Sequence, residues 1–351
     1  MKKLTAIILL FVFLFTGCEM AAPAPQPAAV PEDSEGLTVH FLDVGQADSI
    51  LLLCDGQSML IDGGNVEDSD LVVAYLQDLG ITKLDYVVNT HAHEDHVGGL
   101  PAVLAVYETA NLWCPVEEYS SGCFEDFLYY ADQQDLELVC PDPGDVYALG
   151  STQITVLGPV KDDYDTNNTS IVLRADYGQT SFLFSGDAEA EAEKDILEAG
   201  FDISCTVMKA GHHGSDTSNS YLWLREADPA YVVIPVGEGN SYGHPHEVVL
   251  SRFRDADAIV YRTDLQGHIV CHADGMDVTF ETGRHVAVTN PTEMDGSGQN
   301  AKAEEFIGNK NSKKFHLPTC SGLPDPKNQV IFSSFDDAEA EGYAPCGNCI
   351  G

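Results

Sequence analysis

A short segment with four potential metal ligands restricts the possible folds of this chain more than any other feature of its sequence. His91, His93, Asp95 and His96 directly follow residues 84–90, an apolar segment typical of a buried strand. Four ligands at this spacing cannot share one face of a helix or of a strand. A loop at the end of a strand can instead direct His91 and His93 to one metal, and Asp95 and His96 to another. Neutral imidazole and carboxylate are ligands for Zn²⁺ and also for Mn²⁺ or Fe²⁺.

Two other motifs precede this segment, Asp-Val-Gly-Gln-Ala-Asp at 43–48 and Asp-Gly-Gly at 62–64. Taken with the histidine-rich segment, they resemble the metallo-β-lactamase superfamily over residues 37–282. The resemblance implies an α/β fold, a four-layer αββα sandwich in which two divalent metals, Zn or Mn, lie at one edge of the two sheets. The predicted elements agree with layered sheets covered by helices, because strands come first and then alternate with helices.

The same resemblance assigns ligands beyond the first segment. It implies that Asp187, at the end of a predicted strand, bridges both metals, and that a histidine of the Lys-Ala-Gly-His-His-Gly-Ser motif at 209–215 is the last ligand. Either His212 or His213 can be that ligand, and the other could hydrogen-bond substrate. Many members carry another histidine before the bridging aspartate, but residues 97–211 contain none. Asn168 stands in that stretch, either as a weaker ligand or as a turn residue before the next strand.

Further motifs narrow the resemblance: Asn-Asn-Thr-Ser at 167–170, His-His-Gly-Ser at 212–215 and Asn-Ser-Tyr-Gly-His-Pro at 240–245. Together they are similar to the hydrolase domain of the bacterial DNA-internalisation competence protein, which implies a phosphodiesterase and nuclease. No apolar stretch of the sequence reaches the ~20 residues that a membrane-spanning helix needs. We therefore expect a free-standing relative without a transmembrane channel.

Hydrolysis at such a centre needs an activated water and a proton donor. Two cations that share a carboxylate lower the pKa of a bound water to give hydroxide near neutral pH, and they stabilise charge on a phosphoryl oxygen. We predict catalytic roles for Asp95 at the metals and for His244, or alternatively His213, as the donor to the leaving group. The other interpretation of His244 is a loop histidine that caps a helix predicted to begin near Glu247.

A second group of candidate ligands lies near the C terminus. His316 and Cys320, followed by Cys346 and Cys349 in a Cys-x-x-Cys pair, offer four ligands to one structural Zn²⁺. A disulfide among the cysteines is the alternative, because exported proteins commonly form disulfides. Since so small a module needs a staple to fold alone, we expect a zinc-stapled α+β module.

Residues 306–350 resemble the zinc-binding domain of the Ada DNA-repair protein, with His316 at the position of its methyl-accepting cysteine. Imidazole cannot replace that thiolate as the nucleophile, so methyl transfer from DNA is not expected. Four lysines of the module could contact a phosphate backbone or could equally form a solvated face. They are Lys310, Lys313, Lys314 and Lys327.

The N-terminal segment predicts export. Lys2 and Lys3 precede an apolar run at 4–15, and Thr-Gly-Cys follows at 16–18. The small residues before Cys18 resemble a bacterial lipobox, which implies lipidation of Cys18 and an anchor in the cell membrane of a bacterium. An ordinary cleaved signal is the alternative. We thus divide the chain into a lipoprotein-type signal peptide (1–18), an Ala/Pro-rich tether (19–36), a hydrolase domain (37–285), a linker (286–303) and the zinc module (304–351).

Charge limits the choice of substrate. The chain has a formal net charge of −39, and residues 36–288 hold 43 acidic residues against 10 basic ones. Such a surface excludes sequence-independent binding of nucleic acid by a broad basic face. Three hypotheses stand: an exported phosphodiesterase or nuclease acting on DNA, a hydrolase of small esters, lactones or cell-envelope phosphorylcholine groups, and a non-catalytic nucleic-acid-binding protein.

Overall fold

The computed structural model describes residues 36–284 and, near the C terminus, residues 306–318, 320, 322–332, 335–347 and 349–350. The predicted signal peptide with Cys18, the predicted linker and, except for Gly36, the predicted tether lie outside the described residues. Among the helices of the described ranges, none combines the length and the apolar character that crossing a bilayer requires.

Residues 36–284 form a first folded unit, in which most segments are strands. In chain order the strands are β1 (Leu37–Phe41), β2 (Ile50–Cys54), β3 (Gln57–Ile61), β4 (Lys83–Leu84), β5 (Tyr86–Val88), β6 (Glu108–Thr109), β7 (Leu112–Trp113), β8 (Leu138–Val139), β9 (Val146–Leu149), β10 (Thr152–Gly158), β11 (Val172–Tyr177), β12 (Thr180–Phe184), β13 (Val207–Lys209), β14 (Tyr231–Ile234), β15 (Ile259–Arg262), β16 (Ile269–Ala273) and β17 (Val278–Thr282).

Helices connect many of these strands. They are α1 (Ser69–Asp78), α2 (Glu94–Val97), α3 (Leu100–Val106), α4 (Gly122–Gln133), α5 (Ala190–Ala199), α6 (Tyr221–Ala227), α7 (Glu247–Asp255) and α8 (Thr263–Gln266). Serines fix the beginnings of two of them, because the hydroxyl of Ser121 accepts from the amide of Phe124 and that of Ser220 from the amide of Trp223.

Two mixed sheets contain most of the strands. The first has the order β17-β16-β1-β2-β3-β5-β7-β8 and the second the order β15-β14-β13-β12-β11-β10-β9, while β4 and β6 form a separate pair. Strands β3, β5 and β7 run parallel in the first sheet, and β12 to β15 run parallel in the second.

The inner faces of the sheets pack against each other. Leu37, Val39 and Phe41 of β1 and Phe182 and Phe184 of β12 are fully buried in this layer. The rings of Phe41 and Phe184 lie 6.3 Å apart, so the two sheets are in direct contact. Contact of this kind excludes water and provides much of the stability of the unit.

Helices bury the outer faces of both sheets. Leu51 of β2 packs with Val72 of α1 and Val103 of α3, and Leu183 of β12 packs with Ile196 of α5. The central strands are therefore buried on both faces, which explains their continuous apolar runs. The result is the four-layer αββα sandwich that the sequence predicts, and the fold class is confirmed.

The sheets bring four loops to one edge, because parallel strands end on the same side. These loops follow β5, β12, β13 and β14. Backbone hydrogen bonds join them to one another and to the loop after β1. The amide of Asp48 donates to the carbonyl of Asp95 (3.0 Å), and the amide of His212 donates to the carbonyl of Gly186 (3.1 Å). Residues distant in sequence are thus fixed side by side.

The C-terminal residues form a second, smaller unit. Its strands are β18 (Phe306–Asn309), β19 (Lys314–His316), β20 (Gln329–Phe332) and β21 (Ala344–Pro345), and its helix is α9 (Phe335–Ala340). The sheet order is β20-β18-β19-β21. Aromatic and aliphatic side chains fill the core of this unit: Phe306, Phe315, Phe332, Phe335, Tyr343 and Ile350.

The second unit packs on helix α6 of the first. The ring of Tyr221 lies 5.1 Å from that of Phe306 and 5.7 Å from that of Phe335. Arg225 donates to the carboxylate of Glu339 (2.9 Å). Since α6 comes directly after the loop that follows β13, the small unit contacts the hydrolase domain near the converging loops.

Candidate metal centre

Asp62 holds the histidine-rich segment in place from the end of β3. Its carboxylate accepts from the amide of Thr90 (2.7 Å) and from the Thr90 hydroxyl (2.7 Å). It also accepts from Nδ1 of His96 at 2.7 Å. In the neutral imidazole that a metal requires, this bond places the proton on Nδ1 and leaves the lone pair of Nε2 of His96 for the metal. The Asp-Gly-Gly motif therefore has a definite role, which is to orient His96.

Asp187 lies at the centre of the converging loops. It follows β12, is fully buried, and its amide donates to the hydroxyl of Ser170 (3.0 Å). One carboxylate oxygen lies 3.3 Å from Nε2 of His96, and the other lies 4.0 Å from Nε2 of His91. Nε2 of His91 in turn lies 3.0 Å from Nδ1 of His93. The carboxylate thus stands between two histidine groups, as the bridging role requires.

A left-handed turn after β13 sends the paired histidines in different directions. His212 and His213 have φ angles of 49° and 52°, an uncommon conformation for residues with a side chain. His213 is buried, donates from Nδ1 to the carbonyl of Pro235 (3.1 Å), and has Nε2 3.3 Å from the carboxylate of Asp95. His212 is partly exposed at the rim, with Nε2 3.6 Å from Asp187. The structure therefore groups His213 with the buried ligands and leaves His212 at the rim, where its Nδ1 lies beside Thr217 and Glu189.

Four of the predicted ligands meet closely enough to hold one ion. The ligand atoms of Asp95, His96, Asp187 and His213 all lie within 4.8 Å of one another. Nε2 of His96, Oδ1 of Asp187 and Nε2 of His213 are buried and make no hydrogen bond within the described residues. Unsatisfied buried polar atoms are costly, and a shared cation would satisfy all three. Two carboxylates and two imidazoles fit a divalent metal such as Zn²⁺ or Mn²⁺.

The titration behaviour of the group also fits a cation. Burial disfavours the charged form of Asp187, but His96 and His213 outweigh it and hold the pKa of this carboxyl well below its usual range. Burial likewise opposes charge on His213, yet Asp187 and Asp48 raise the pKa of His213 to about 10. The carboxylates of the group thus require compensating positive charge. Protons on the histidines supply it when no metal is bound, and the cation supplies it when a metal is bound.

Asn168 does not join these ligands, and its prediction as a metal ligand is corrected. Its side-chain oxygen accepts from the amides of Glu189 (2.9 Å) and Ala192 (3.3 Å) at the beginning of α5, and its NH₂ donates to Asp165 (2.9 Å). The amide is therefore occupied in holding a helix. The alternative interpretation of Asn168, as a turn residue, agrees with the 3₁₀ turn over Asn167–Thr169.

A buried ion pair beside the centre was not predicted. Nζ of Lys209 lies 2.6 Å from Asp48, donates to the carbonyls of Gly186 (2.7 Å) and Ala210 (3.0 Å), and lies 3.9 Å from Asp187. Lysine and aspartate are both almost fully buried. Both residues belong to recognised motifs, but only the fold shows that they pair. The ammonium group fixes the loops after β1 and β12 against each other.

His244 lies at the rim rather than among the ligands. Its ring centroid is 5.6 Å from that of His212, and its Nδ1 lies 3.3 Å from the side-chain amide of Gln46. Burial, together with the neighbouring His213 and His212, lowers the pKa of His244 to about 4. The residue that directly precedes α7 is His246, so His244 does not cap that helix.

The C-terminal ligands also come together. The ligand atoms of His316, Cys320, Cys346 and Cys349 lie within 4.8 Å of one another, and Sγ of Cys320 is 3.4 Å from Nδ1 of His316. The cysteines described by the structure are free, so the disulfide alternative is not formed among them. Three thiols and one imidazole fit one tetrahedral Zn²⁺.

Comparison with known proteins gives two family matches. The metallo-beta-lactamase superfamily model matches residues 42–238, and the model of the metal binding domain of Ada matches residues 297–350.

Curated proteins and solved structures give further matches. ComE operon protein 3 of Bacillus subtilis (strain 168) is 31% identical over 255 residues, which cover 67% of this chain and 33% of that protein. Competence protein ComA of Neisseria gonorrhoeae is 31% identical over 247 residues, which cover 69% of this chain and 33% of that protein. The chain thus spans about a third of the length of these relatives. The metallo-beta-lactamase fold protein YhfI from Bacillus subtilis superposes with a TM-score of 0.47 and 12% identity, over 68% of this chain and 100% of that chain.

Proposed function

Because the chain belongs to the metallo-β-lactamase superfamily, we propose that its metal centre hydrolyses phosphodiesters and that the substrate is DNA. A metal-dependent hydrolase is the activity that the fold and the ligands support. The observation that carries the proposal is the buried group of Asp95, His96, Asp187 and His213, whose free ligand atoms converge at the sheet edge. These costly unsatisfied atoms favour a bound cation over a degenerate domain that has lost its metal.

Two divalent cations, when bound, supply Lewis acidity towards water and towards a phosphoryl oxygen. His91 and His93 would hold one cation and Asp95, His96 and His213 the other, with Asp187 between them. Asp62 keeps His96 in the tautomer that can ligate.

At the rim of the centre, the rings of His212 and His244 lie 5.6 Å apart, and we propose that both hydrogen-bond oxygens of the substrate. His244, with a pKa of about 4, is neutral near pH 7, so it acts as a hydrogen-bond donor there rather than as an imidazolium acid.

The relationship to competence proteins favours DNA as the substrate, whereas the negative charge of the hydrolase domain disfavours binding of a polyanion. Nine of its ten Lys and Arg side chains are already paired with carboxylates: Lys83, Lys161, Arg174, Lys194, Lys209, Arg225, Arg254, Arg262 and Arg284. The tenth, Arg252, is buried and donates to backbone carbonyls.

Phosphate would therefore be attracted mainly by the bound cations and by lysines of the zinc module. Of these, Lys314 is exposed at the beginning of β19, and Lys310 lies in the turn before it. The same scarcity of free basic side chains favours a second candidate function, hydrolysis of small esters, lactones or cell-envelope phosphorylcholine groups.

Activity of the purified chain separates these candidates. We expect Mn²⁺- or Zn²⁺-dependent cleavage of single- or double-stranded DNA and of bis-p-nitrophenyl phosphate, with Asp78→Asn, a change at an exposed helix end, as an active control. A panel of lactones and p-nitrophenyl phosphorylcholine is assayed in parallel. Turnover of that panel without phosphodiester cleavage of DNA would overturn the proposed substrate.

Export and lipid anchoring complete the proposal. We propose that the signal segment directs the hydrolase out of the cytoplasm and that a lipid on Cys18 holds it at the membrane. Metabolic labelling with a fatty acid, in cells that express the full chain or the Cys18→Ser variant, tests this point. Equal labelling of the two chains would contradict an anchor at Cys18.

A further inference from the structure

Gln46, from the motif at 43–48, reaches from the loop after β1 to the loop after β14. Its side-chain oxygen accepts from the amide of Gly237 at 3.1 Å, and its side-chain nitrogen lies 3.3 Å from Nδ1 of His244. The two loops touch at this point, since a Cβ on Gly237 would lie only 2.7 Å from the backbone nitrogen of Gln46. The side chain therefore bridges two segments that the sequence separates widely.

The bond to Gly237 decides which end of the amide faces the histidine. A backbone N–H can only donate, so the atom of Gln46 that meets Gly237 is the oxygen. The NH₂ group is then left facing His244, and an NH₂ group can only donate. In a neutral imidazole, Nδ1 must accept that bond, and the proton must lie on Nε2.

The backbone of His244 is fixed as firmly as its ring. The side-chain oxygen of Asn240 accepts from the amide of His244 (3.0 Å), and the NH₂ of Asn240 donates to the His244 carbonyl (2.6 Å). Position and tautomer are thus set by two different amides, at a ring whose centroid lies 5.6 Å from that of His212.

We propose that Gln46 is a positioning residue that locks His244 as the Nε2–H tautomer, so that this N–H donates to a phosphoryl or leaving-group oxygen of the bound substrate. The identity of that oxygen rests on the proposed phosphodiesterase function, whereas the tautomer does not. Preorganised donors of this kind gain their effect because they need no reorientation during the reaction.

Histidine tautomers can be read directly from long-range ¹H–¹⁵N correlation spectra of the full chain. The signals of His244 are assigned by their loss in His244→Gln. We expect the wild-type pattern to show a protonated Nε2 and an unprotonated Nδ1 near neutral pH. In Gln46→Glu a carboxylate oxygen, which can only accept, replaces the NH₂ group that faces His244, so Nδ1 of His244 becomes protonated. Gln179→Glu, an exposed change in the β11–β12 turn, should leave the pattern unaltered.

Two results would overturn the proposal: a protonated Nδ1 in the wild type, or a His244 pattern that Gln46→Glu leaves unchanged. Kinetics supply the second readout, in which Gln46→Glu and His244→Gln should lower kcat by a similar factor while the metal content stays constant. A chain with the expected tautomer and no phosphodiesterase activity would refute the proposed function alone. Full kcat in Gln46→Glu would refute the positioning role alone.

Discussion

Two groups of metal ligands in one chain are built in opposite ways. The hydrolase centre takes carboxylates and imidazoles from loops that follow different strands, and Asp187, the proposed bridge, lies between His91 and His96. The C-terminal group takes three thiols and an imidazole from two short segments. Four ligands of the second kind close a tetrahedron around one Zn²⁺, whereas a catalytic metal keeps a coordination position open to water and substrate. The two groups therefore differ in the type of their ligands and in how far apart along the chain those ligands lie.

The strongest test of this comparison is Asp187→Asn. Loss of the bridging charge should abolish metal-dependent hydrolysis and empty the hydrolase centre, because its histidines then lack their common carboxylate. The C-terminal group should still hold one zinc per chain, as measured by elemental analysis. Asp78→Asn serves as the control. Full activity of Asp187→Asn would exclude the bridging role, and loss of the C-terminal zinc as well would show that the two groups are not separate.

The converse test is Cys349→Ser. Apparent binding energies of structural zinc are about 10–16 kcal/mol in small modules, so removal of one thiolate should unfold residues 306–350. We expect loss of one zinc equivalent and rapid proteolysis of the C-terminal unit, with metals retained in the hydrolase centre. Cys140→Ser changes an exposed cysteine of the first unit and should have neither effect. A protease-resistant Cys349→Ser chain would mean that the unit does not depend on zinc.

The two groups should also respond oppositely to pH. The pKa of His213 is raised to about 10, despite burial, by Asp187 and Asp48, whereas burial and then Lys314 lower the pKa of His316. In a chelator-treated chain, the proton on His213 stabilises the fold fully below the unfolded pKa of about 6.5, and this contribution is lost as the pH rises through about 10. The free energy of unfolding should therefore fall over that range.

Urea denaturation at several pH values measures this decline, and bound metal should remove it because the cation replaces the proton. His213→Gln should flatten the profile of the chelator-treated chain, while His272→Gln, at a half-exposed strand position, should not. An identical decline in His213→Gln would assign it to other groups.

A smaller effect is expected for Asn168→Ala. The lost bonds to the beginning of α5 should cost about 1–2 kcal/mol, with no change in metal affinity. Asn168→Asp keeps the acceptor oxygen but sets a second carboxylate against Asp165, to which the Asn168 NH₂ donates, so it should recover only part of that loss. Thermal unfolding and Mn²⁺ titration of both variants measure the two quantities. Weaker metal binding by Asn168→Ala at unchanged stability would restore Asn168 as a ligand.

Much of this arrangement can be predicted from the sequence, because local patterns determine it. The buried strands appear as apolar runs, and the histidine-rich loop directly follows one of them, whereas Asp187 is indicated by the resemblance to the superfamily. Helices α3, α4 and α6 are not among the elements that the sequence predicts, although Phe124, Phe127 and Ala131 of α4 recur at helical spacing and are buried. The short apolar repeat of α4 lies in a stretch without catalytic motifs.

Long-range pairing could not be predicted. The side chains of the Asn-Asn-Thr-Ser motif at 167–170 are compatible with either a metal site or a turn. Only the position of α5 in the fold shows that Asn168 holds the beginning of that helix. The pairing of Lys209 with Asp48 and the orientation of His96 by Asp62 likewise depend on how the two sheets pack. Spacing along the chain contains no information on such contacts.

The nearly complete pairing of basic side chains in the hydrolase domain has a kinetic consequence. A polyanion that approaches this domain meets repulsion at long range and attraction only within contact distance of the cations. Dissolved salt screens the long-range part first, over a Debye length of about 10 Å at 0.1 M. Moderate ionic strength should therefore accelerate encounter with a DNA strand, the reverse of its effect on proteins that attract DNA through basic surfaces.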